Sequence, residues 1–357
     1  MNENPGWKNK PFWIRLLHWE YWSFHVIYMP VYPIFILLCL RARSFFFYAA
    51  ANPKIKNGGF LGESKKEIYK LVPEFIQPRT IFFPRGSDPD SVLEQLIQKD
   101  FHFPLIGKPD IGGRGRGIKK LDDAGSVMRY ASVVPFDFHI QEFITYDNEA
   151  GIFYYRYPQD QKGKISGIVH KEFLKVTGDG LHSIRDLLKK NPRGILQLSP
   201  LEINEPEMLS LILPAGEIFT VSPYGNHARG ALFLDDSKSV SDELTKVIDE
   251  ICQHIPEFYF GRLDIRYESK ALLEQGKSFT ILEVNGAGSE PTHIYDPSHS
   301  IFFAWKEIIR HWILLLKISI ANHHRGHSYL SVSEGLRMFK KDKLDSALLA
   351  SVQYKSR

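Results

Sequence analysis

The sequence predicts an α+β chain built on antiparallel sheets, preceded by an aromatic helical hairpin. Two observations carry the first half of that statement. Strand-like runs at 151–157 and 167–176 flank the turn Gln161-Lys162-Gly163, and runs at 259–267 and 279–284 flank the charged hairpin around Gln275-Gly276. Strands that pair with their chain neighbours through short turns are antiparallel, which excludes a doubly wound parallel sheet. The third observation is the N-terminus. The twenty residues from Tyr21 to Leu40 contain no Lys, Arg, Asp or Glu, and Trp7, Trp13, Trp19 and Trp22 precede them.

An apolar run of that length could just cross a bilayer. Pro30 and Pro33 interrupt it, and a proline inside a helix removes a backbone bond. Basic residues stand on both flanks, Lys8, Lys10 and Arg15 before and Arg41 and Arg43 after, so no orientation across a membrane is favoured. The expectation is a re-entrant or interfacial hairpin over 1–50. Pro30-Val31-Tyr32-Pro33 would be its tip, and Phe24, Ile27, Tyr28, Phe35 and Leu38 would lie on its exposed face. The alternatives are a hairpin buried in a soluble fold and a homodimer surface. No small-residue cleavage site follows the run, so it does not read as a secretory signal.

The remaining elements follow in order. A polar, glycine-rich loop, 52–65, leads into a helix over Lys65–Leu71. Thr80–Phe83 is a strand. Asp88 or Asp90 caps a helix running to about Lys99, and Phe103–Pro109 is a buried strand. Asp122 or Asp123 opens another helix, and Phe138–Ile144 is a strand. His182–Lys190 and Asp242–His254 are helical, the latter with Leu244, Val247, Ile248 and Ile251 on one face. Phe302–Ile320 is a long aromatic helix with Gly326 as its C-cap. The core spans 51–300, and 301–357 is a helical extension in which the histidines at 323, 324 and 327 form a solvated helix end.

Composition bounds the function. Of 357 residues 43% are hydrophobic and 24% charged, so the chain can bury a core. A net charge of +4, from 45 basic and 41 acidic residues, is too small to argue for nucleic acid. Cys39 and Cys252 fit neither a disulfide framework nor a zinc spacing, which favours a reducing compartment.

Two motifs carry chemistry. Gly107-Lys108-Pro109 runs into Gly112, Gly113, Arg114, Gly115, Arg116 and Gly117. Such a backbone can approach an anion closely and present N–H groups to it, and Lys108 adds a point charge. Neither the P-loop nor the dinucleotide fingerprint has this spacing. Downstream, Arg262, Asp264 and Arg266 alternate along one strand, and Glu283 and Asn285 along the next. If the two strands are hairpin neighbours, two carboxylates and an amide oxygen converge. That is hard-oxygen ligation suited to Mg²⁺ shared with nucleotide phosphates. The simpler reading of each motif is a glycine turn and a pair of strands with polar outer faces.

Taken together, in this order, the motifs resemble the ATP-grasp superfamily. Within it they resemble the carboxylate–amine ligases of D-alanine–D-alanine ligase and cyanophycin synthetase type, over roughly Gly62 to Pro297. The resemblance implies two α+β subdomains gripping ATP. It implies Lys108 on the phosphates, with Lys65 and Lys171 as further nucleotide contacts. Gly112 to Gly117, Arg114 included, would be the phosphate-covering loop. Gln141, Glu142, Phe143 and Ile144 are similar to the adenine-binding hinge, and Glu149 stands where a ribose-binding acid is common. The turn Gly178-Asp179-Gly180 is similar to one in cyanophycin-type ligases. Arg262 would steady an acyl-phosphate, with Asn226 and Arg229 near the reacting carboxylate. Asp264, Glu283 and Asn285 would hold Mg²⁺, or Mn²⁺.

Two departures stand out. Gly286-Ala287-Gly288-Ser289-Glu290-Pro291 replaces the usual Pro-Gly after Glu-x-Asn, and the aromatic hairpin stands in place of the usual N-terminal α/β domain. The implied activity is ATP-dependent ligation of a small-molecule or lipid-linked carboxylate to an amine. The cytoplasmic side of a membrane is its expected place, the soluble cytoplasm the second choice. Rival readings are a kinase acting on a hydroxyl and a non-catalytic ATP-binding membrane adaptor.

Overall fold

The structure is a computed structural model and describes residues 10–113 and 115–351. Its smaller sheet holds β1 (Thr80–Phe83), β2 (Leu105–Pro109), β3 (Lys119–Leu121) and β4 (Phe138–Glu142), antiparallel in the order β1-β4-β2-β3. Helices Pro89–Gln98 and Ala124–Val133 begin at the expected caps. The Asp88 carboxylate accepts the Ser91 N–H, and that of Asp123 accepts the Ser126 N–H. Their apolar residues Val92, Leu96, Val127 and Tyr130 pack on Leu105, Phe138 and Ile140. On β2 side chains alternate, so Ile106 and Lys108 are left to face a cleft.

The next strands are β5 (Asn148–Tyr155), β6 (Lys164–Glu172), β7 (Leu174–Thr177), β8 (Ile218–Ser222), β9 (Leu232–Asp235), β10 (Phe260–Tyr267) and β11 (Phe279–Asn285). β7 and β8 pair as a separate ribbon. The others form the larger antiparallel sheet, β11-β10-β5-β6-β9. Both predicted hairpins are present in it. Helix Asp242–His254 covers one face, placing Leu244, Ile248 and Cys252 on Ile152, Tyr154, Leu263 and Ile265.

The opposite face is divided. Its β10–β11 part borders the cleft. Its β5–β6 part is covered by the helix Ile301–His324, which is fastened by buried polar contacts. His311 Nε2 meets Ser166 Oγ at 2.9 Å, and the Arg310 guanidinium donates to the Ser166 carbonyl at 2.7 Å. His293 Nε2 stands 3.3 Å from Glu307 Oε2. Gly167 makes this approach possible, since a Cβ there would lie 2.4 Å from the His293 ring. Burial pushes the His311 imidazole down to about 3, so it stays neutral. Burial alone would raise the Glu307 carboxyl, but His293 and Arg310 hold it at about 2.

At the N-terminus a short helix, Pro11–Leu17, precedes a helical stretch from Phe24 to Ala42. The chain turns between the two at 18–23 and not at Pro30–Pro33, which corrects the expected tip. Pro30 sits in a 3₁₀ turn, Met29–Val31, and Pro33 in the first turn of Tyr32–Ala42, where a missing N–H costs nothing. The exposed face is also different from the one expected. Ile27 and Tyr28 are buried, and Phe24, Phe35 and Leu38 are half-buried, because the long helix covers them. Trp305 Nε1 donates to the Ile27 carbonyl at 2.9 Å, and the Trp312 ring lies 4.9 Å from that of Phe35. Val26, Met29, Ile36, Leu37 and Leu40 face outward instead. By length and composition Phe24–Ala42 could cross a membrane, with mean hydropathy 1.7.

The C-terminal helix Val332–Ala350 joins the two halves. Gly335 and Met338 pack in the aromatic body beside Phe46, and Leu349 enters the core of the smaller sheet.

Candidate active site

The cleft between the sheets has a volume of about 1240 Å³ and is lined from both sides. On the smaller sheet, Lys108 Nζ donates to Gln141 Oε1 at 2.7 Å and also bonds the Tyr69 hydroxyl. Burial pushes its amine down to about 8, and Glu283 across the cleft partly restores it. Asp110 fixes the neighbouring helix. Its Oδ1 accepts from the Lys66 N–H at 2.9 Å and from Ser64 Oγ at 3.0 Å, and lies 2.9 Å from His139 Nε2. That anchorage aims Lys65 at the glycine loop, where its Nζ donates to the Gly112 carbonyl at 2.7 Å.

Gly112, Gly113 and Gly115 line the cleft. Gly112 and Gly115 have φ of +132° and +69°, open to glycine and strained for other residues. Gly117 does not line it; it packs behind, against Pro109 and Phe136. Arg114 lies outside the described residues. Arg229 does not line the cleft either. Its guanidinium donates to the carbonyls of Gly115 and Ile118 at 2.6 and 3.2 Å, so it clamps the loop from outside. Asn226 lines the cleft, its side chain capping the turn at Ala228.

Along the hinge, Glu142, Phe143 and Ile144 border the cleft. The Glu142 carboxylate accepts from Arg79 and its backbone N–H donates to the Arg79 carbonyl at 3.0 Å, so Arg79 holds this end of the hinge from behind. Glu149, expected at a ribose, lines the cleft. It is buried, with Oε1 3.1 Å from Lys171 Nζ and Oε2 3.2 Å from Arg266 Nε.

The strand pair brings the acidic set together as its alternation requires. Asp264 stands opposite Glu283, and Arg262 opposite Asn285. Arg262 holds Asp264 with two bonds of 2.8 and 3.0 Å, Lys171 Nζ lies 3.2 Å away, and Asn285 Nδ2 donates at 3.4 Å. Burial would raise the Asp264 carboxyl, yet Arg262 and Lys171 hold it at about 2. The same carboxylates hold the Lys171 ammonium above its ordinary value against burial. The start of β10 is set by Asn52, whose side chain bonds the backbone of Gly58, Tyr259 and Phe260.

Among the described residues no three of His, Cys, Asp and Glu converge to hold a metal alone. The donor set still fits Mg²⁺ completed by phosphate oxygens. Glu283 is 35% exposed to the cleft with one cation, Lys65, at 3.6 Å. Nearby, Glu63 Oε2 is buried without a hydrogen bond among the described residues. Burial raises that carboxyl, and Glu283 and Asp342 add to the rise. A divalent cation would offset this local excess of carboxylate.

Sequence reasoning missed Tyr69, Asp110, His139 and Glu63. Asp110 stood inside the glycine motif, and its position one residue after the Lys108 strand was the available signal. It also missed Glu20, buried at the far end of the cleft, paired with Arg193 at 2.9 Å and with His227 Nε2 at 3.7 Å.

No protein-family model matches the chain, and no curated protein does. The chain is similar to several solved structures. The D-alanine–D-alanine ligase of Bacillus anthracis matches at 14% identity over 74% of this chain and 67% of that one, with a TM-score of 0.39. The D-Ala:D-Ser ligase VanG of Enterococcus faecalis matches at 14% over 71% and 61%, with a TM-score of 0.39. The bifunctional glutathione synthetase of Pasteurella multocida matches at 12% over 73% of this chain, with a TM-score of 0.36; the match spans only 38% of that enzyme.

Proposed function

We propose that this chain is an ATP-grasp carboxylate–amine ligase. The observation that carries the reading is the facing register of Asp264 with Glu283 and Arg262 with Asn285, set across a cleft from Lys65, Lys108 and a glycine loop. In this reading 51–300 is the catalytic core, flanked by an N-terminal anchor, 1–50, and a helical extension, 301–357.

A carboxylate oxygen attacks the terminal phosphorus of ATP, the bond to ADP breaks, and an acyl-phosphate forms. An amine nitrogen then attacks the acyl carbon, the carbon–oxygen bond to phosphate breaks, and the nitrogen loses its proton. The products are an amide, ADP and phosphate. Lys108 and Lys65 receive the phosphates, and the backbone of 142–144 borders the base. Arg262, held flat by Asp264, presents its remaining N–H groups to the acyl-phosphate. Asp264, Glu283 and Asn285 would hold Mg²⁺, which when bound supplies positive charge against the transferring phosphoryl group. Positioning and charge compensation do the remaining work, with no covalent intermediate on the protein.

The outward apolar stripe Val26, Met29, Ile36, Leu37 and Leu40, with Phe12, Leu16 and Leu17 on the preceding helix, supports seating on the cytoplasmic surface of a membrane. Hydroxylamine trapping tests the chemistry. ATP with the acid substrate should give a hydroxamate and ADP, and Lys108→Met should weaken ATP binding about 10–100-fold, the range for a lost charge-assisted contact. Phosphate transfer to a hydroxyl with no hydroxamate would replace ligation with a kinase reading.

A further inference from the structure

β10 lays the cleft out as a line. Every second residue faces it: Arg266 beside Glu149 and Phe143, Asp264 opposite Glu283, Arg262 opposite Asn285, then Phe260 against Phe153. That sequence of groups covers about 20 Å of strand. The cavity, about 1240 Å³, is larger than the roughly 300–1,000 Å³ that a single drug-sized ligand needs. Past Arg262 its walls turn aromatic and apolar, with Phe24, Tyr28, Phe35, Phe260, Trp312 and Leu315. The helical stretch that supplies the first three of these exposes Val26, Met29, Ile36, Leu37 and Leu40 on its other side. One helix is therefore both a wall of the chamber and part of the apolar exterior.

We propose that the carboxylate substrate is a long-chain carboxylic acid, with its carboxylate at Arg262 and its chain in this aromatic chamber. The inference rests on the ligase reading and names the substrate class of the same site. The order of groups along β10 favours the acid over the amine as the chain-bearing partner. A carboxylate that meets phosphate near Asp264 and Glu283 has the Arg262 cation beside it, and whatever it carries continues into the apolar part. The Glu290 carboxylate, which borders that region and accepts from the Tyr295 hydroxyl at 3.0 Å, suits an ammonium and repels a second anion. The outward apolar stripe gives such an acid a source, because an amphiphile dissolved in a bilayer lies against the same helix.

The test uses the full chain with Mg²⁺, ATP and hydroxylamine. It compares butanoate, octanoate, dodecanoate and hexadecanoate with alanine and glutamate. Hydroxamate and ADP are measured, with nucleotide binding followed separately. The expected result is a kcat/KM that rises about three- to fourfold per methylene until the chamber is full, the factor for burying one CH₂. Leu315→Trp should move the optimum to a shorter chain and Phe35→Leu to a longer one. Equal or better turnover of the amino acids overturns the proposal, as does a length profile that neither variant shifts. So does amide formation that requires dodecylamine paired with a short acid. If nucleotide binds and only polar acids give hydroxamate, the ligase reading stands and this inference falls. If nucleotide does not bind, both fall.

Discussion

The two ends of the cleft are built on different physics. At one end buried charges hold one another: Glu149, Lys171, Asp264, Arg262 and Arg266 form a continuous set of opposite pairs within 3.2 Å. At the far end, rings from the N-terminal stretch and the long helix meet at 4.9 to 5.8 Å in tilted contacts. A buried ion pair fixes its partners in one geometry, because moving either leaves a charge without compensation. Aromatic contacts are weaker and less directional, so they tolerate adjustment. The charged end should therefore fail abruptly under substitution and the aromatic end by degrees.

The largest expected effect tests an ion pair lodged in the aromatic end. Arg193 and Glu20 have side chains only 9% and 6% exposed. Arg193→Met should lower unfolding stability by about 3–5 kcal/mol, the cost of a buried charge left alone. Adding Glu20→Leu should recover most of it. Urea unfolding reads both, and a loss under about 1 kcal/mol in the single variant would erase the distinction drawn here. Next, Glu283→Gln should reduce kcat by about 10²–10³ with little change in melting temperature, since the side chain is half-exposed and supports no core. A parallel loss of stability would mean that it holds the fold and not the chemistry.

Lys108 gives a sign test. Its folded amine titrates at about 8 and its unfolded amine near 10.5. Between those values the unfolded chain binds more protons, so this group adds stability to the ligand-free protein as pH rises from 8 to 10.5. ATP affinity should fall over the same range, by up to about tenfold per pH unit, as the cation is lost. Lys108→Met should flatten both trends, and parallel trends would contradict the assignment. The smallest effect belongs to the aromatic end. Ile308→Val should cost about 0.5–1.5 kcal/mol in stability and leave ATP binding unchanged.

The same contrast governs how much could be read without a structure. The acidic set was legible because alternation along Arg262–Arg266 and Glu283–Asn285 is local, and the buried opposite face of the sheet, with Leu263, Ile265, Ile281 and Val284, fixes which side they take. The caps at Asp88 and Asp123 were legible for the same reason. The aromatic chamber was not. It is assembled from residues about 280 positions apart, with Trp19 bonding the His299 carbonyl and Trp305 that of Ile27. An apolar face carries no label for which side is covered, so the exposed and buried sides of 24–42 were read the wrong way round. The cations that hold Glu149, Lys171 and Arg266, stand directly opposite it on the two adjacent strands, and that cross-strand register is not written in the sequence.

The helix Val332–Ala350 has a mechanical consequence. Nineteen residues make a rod about 28 Å long. One end is seated at Phe46 in the aromatic body, and the other is seated through Leu349 in the smaller sheet and against Gly112, with Arg116 donating to Ser346. Parting the two sheets would unseat one of these ends. At that second end Leu348 packs beside Leu349 on the core of the smaller sheet. The rod is a strut that ends beside the glycine loop, so one helix ties the aromatic body to the smaller sheet from outside the proposed catalytic groups.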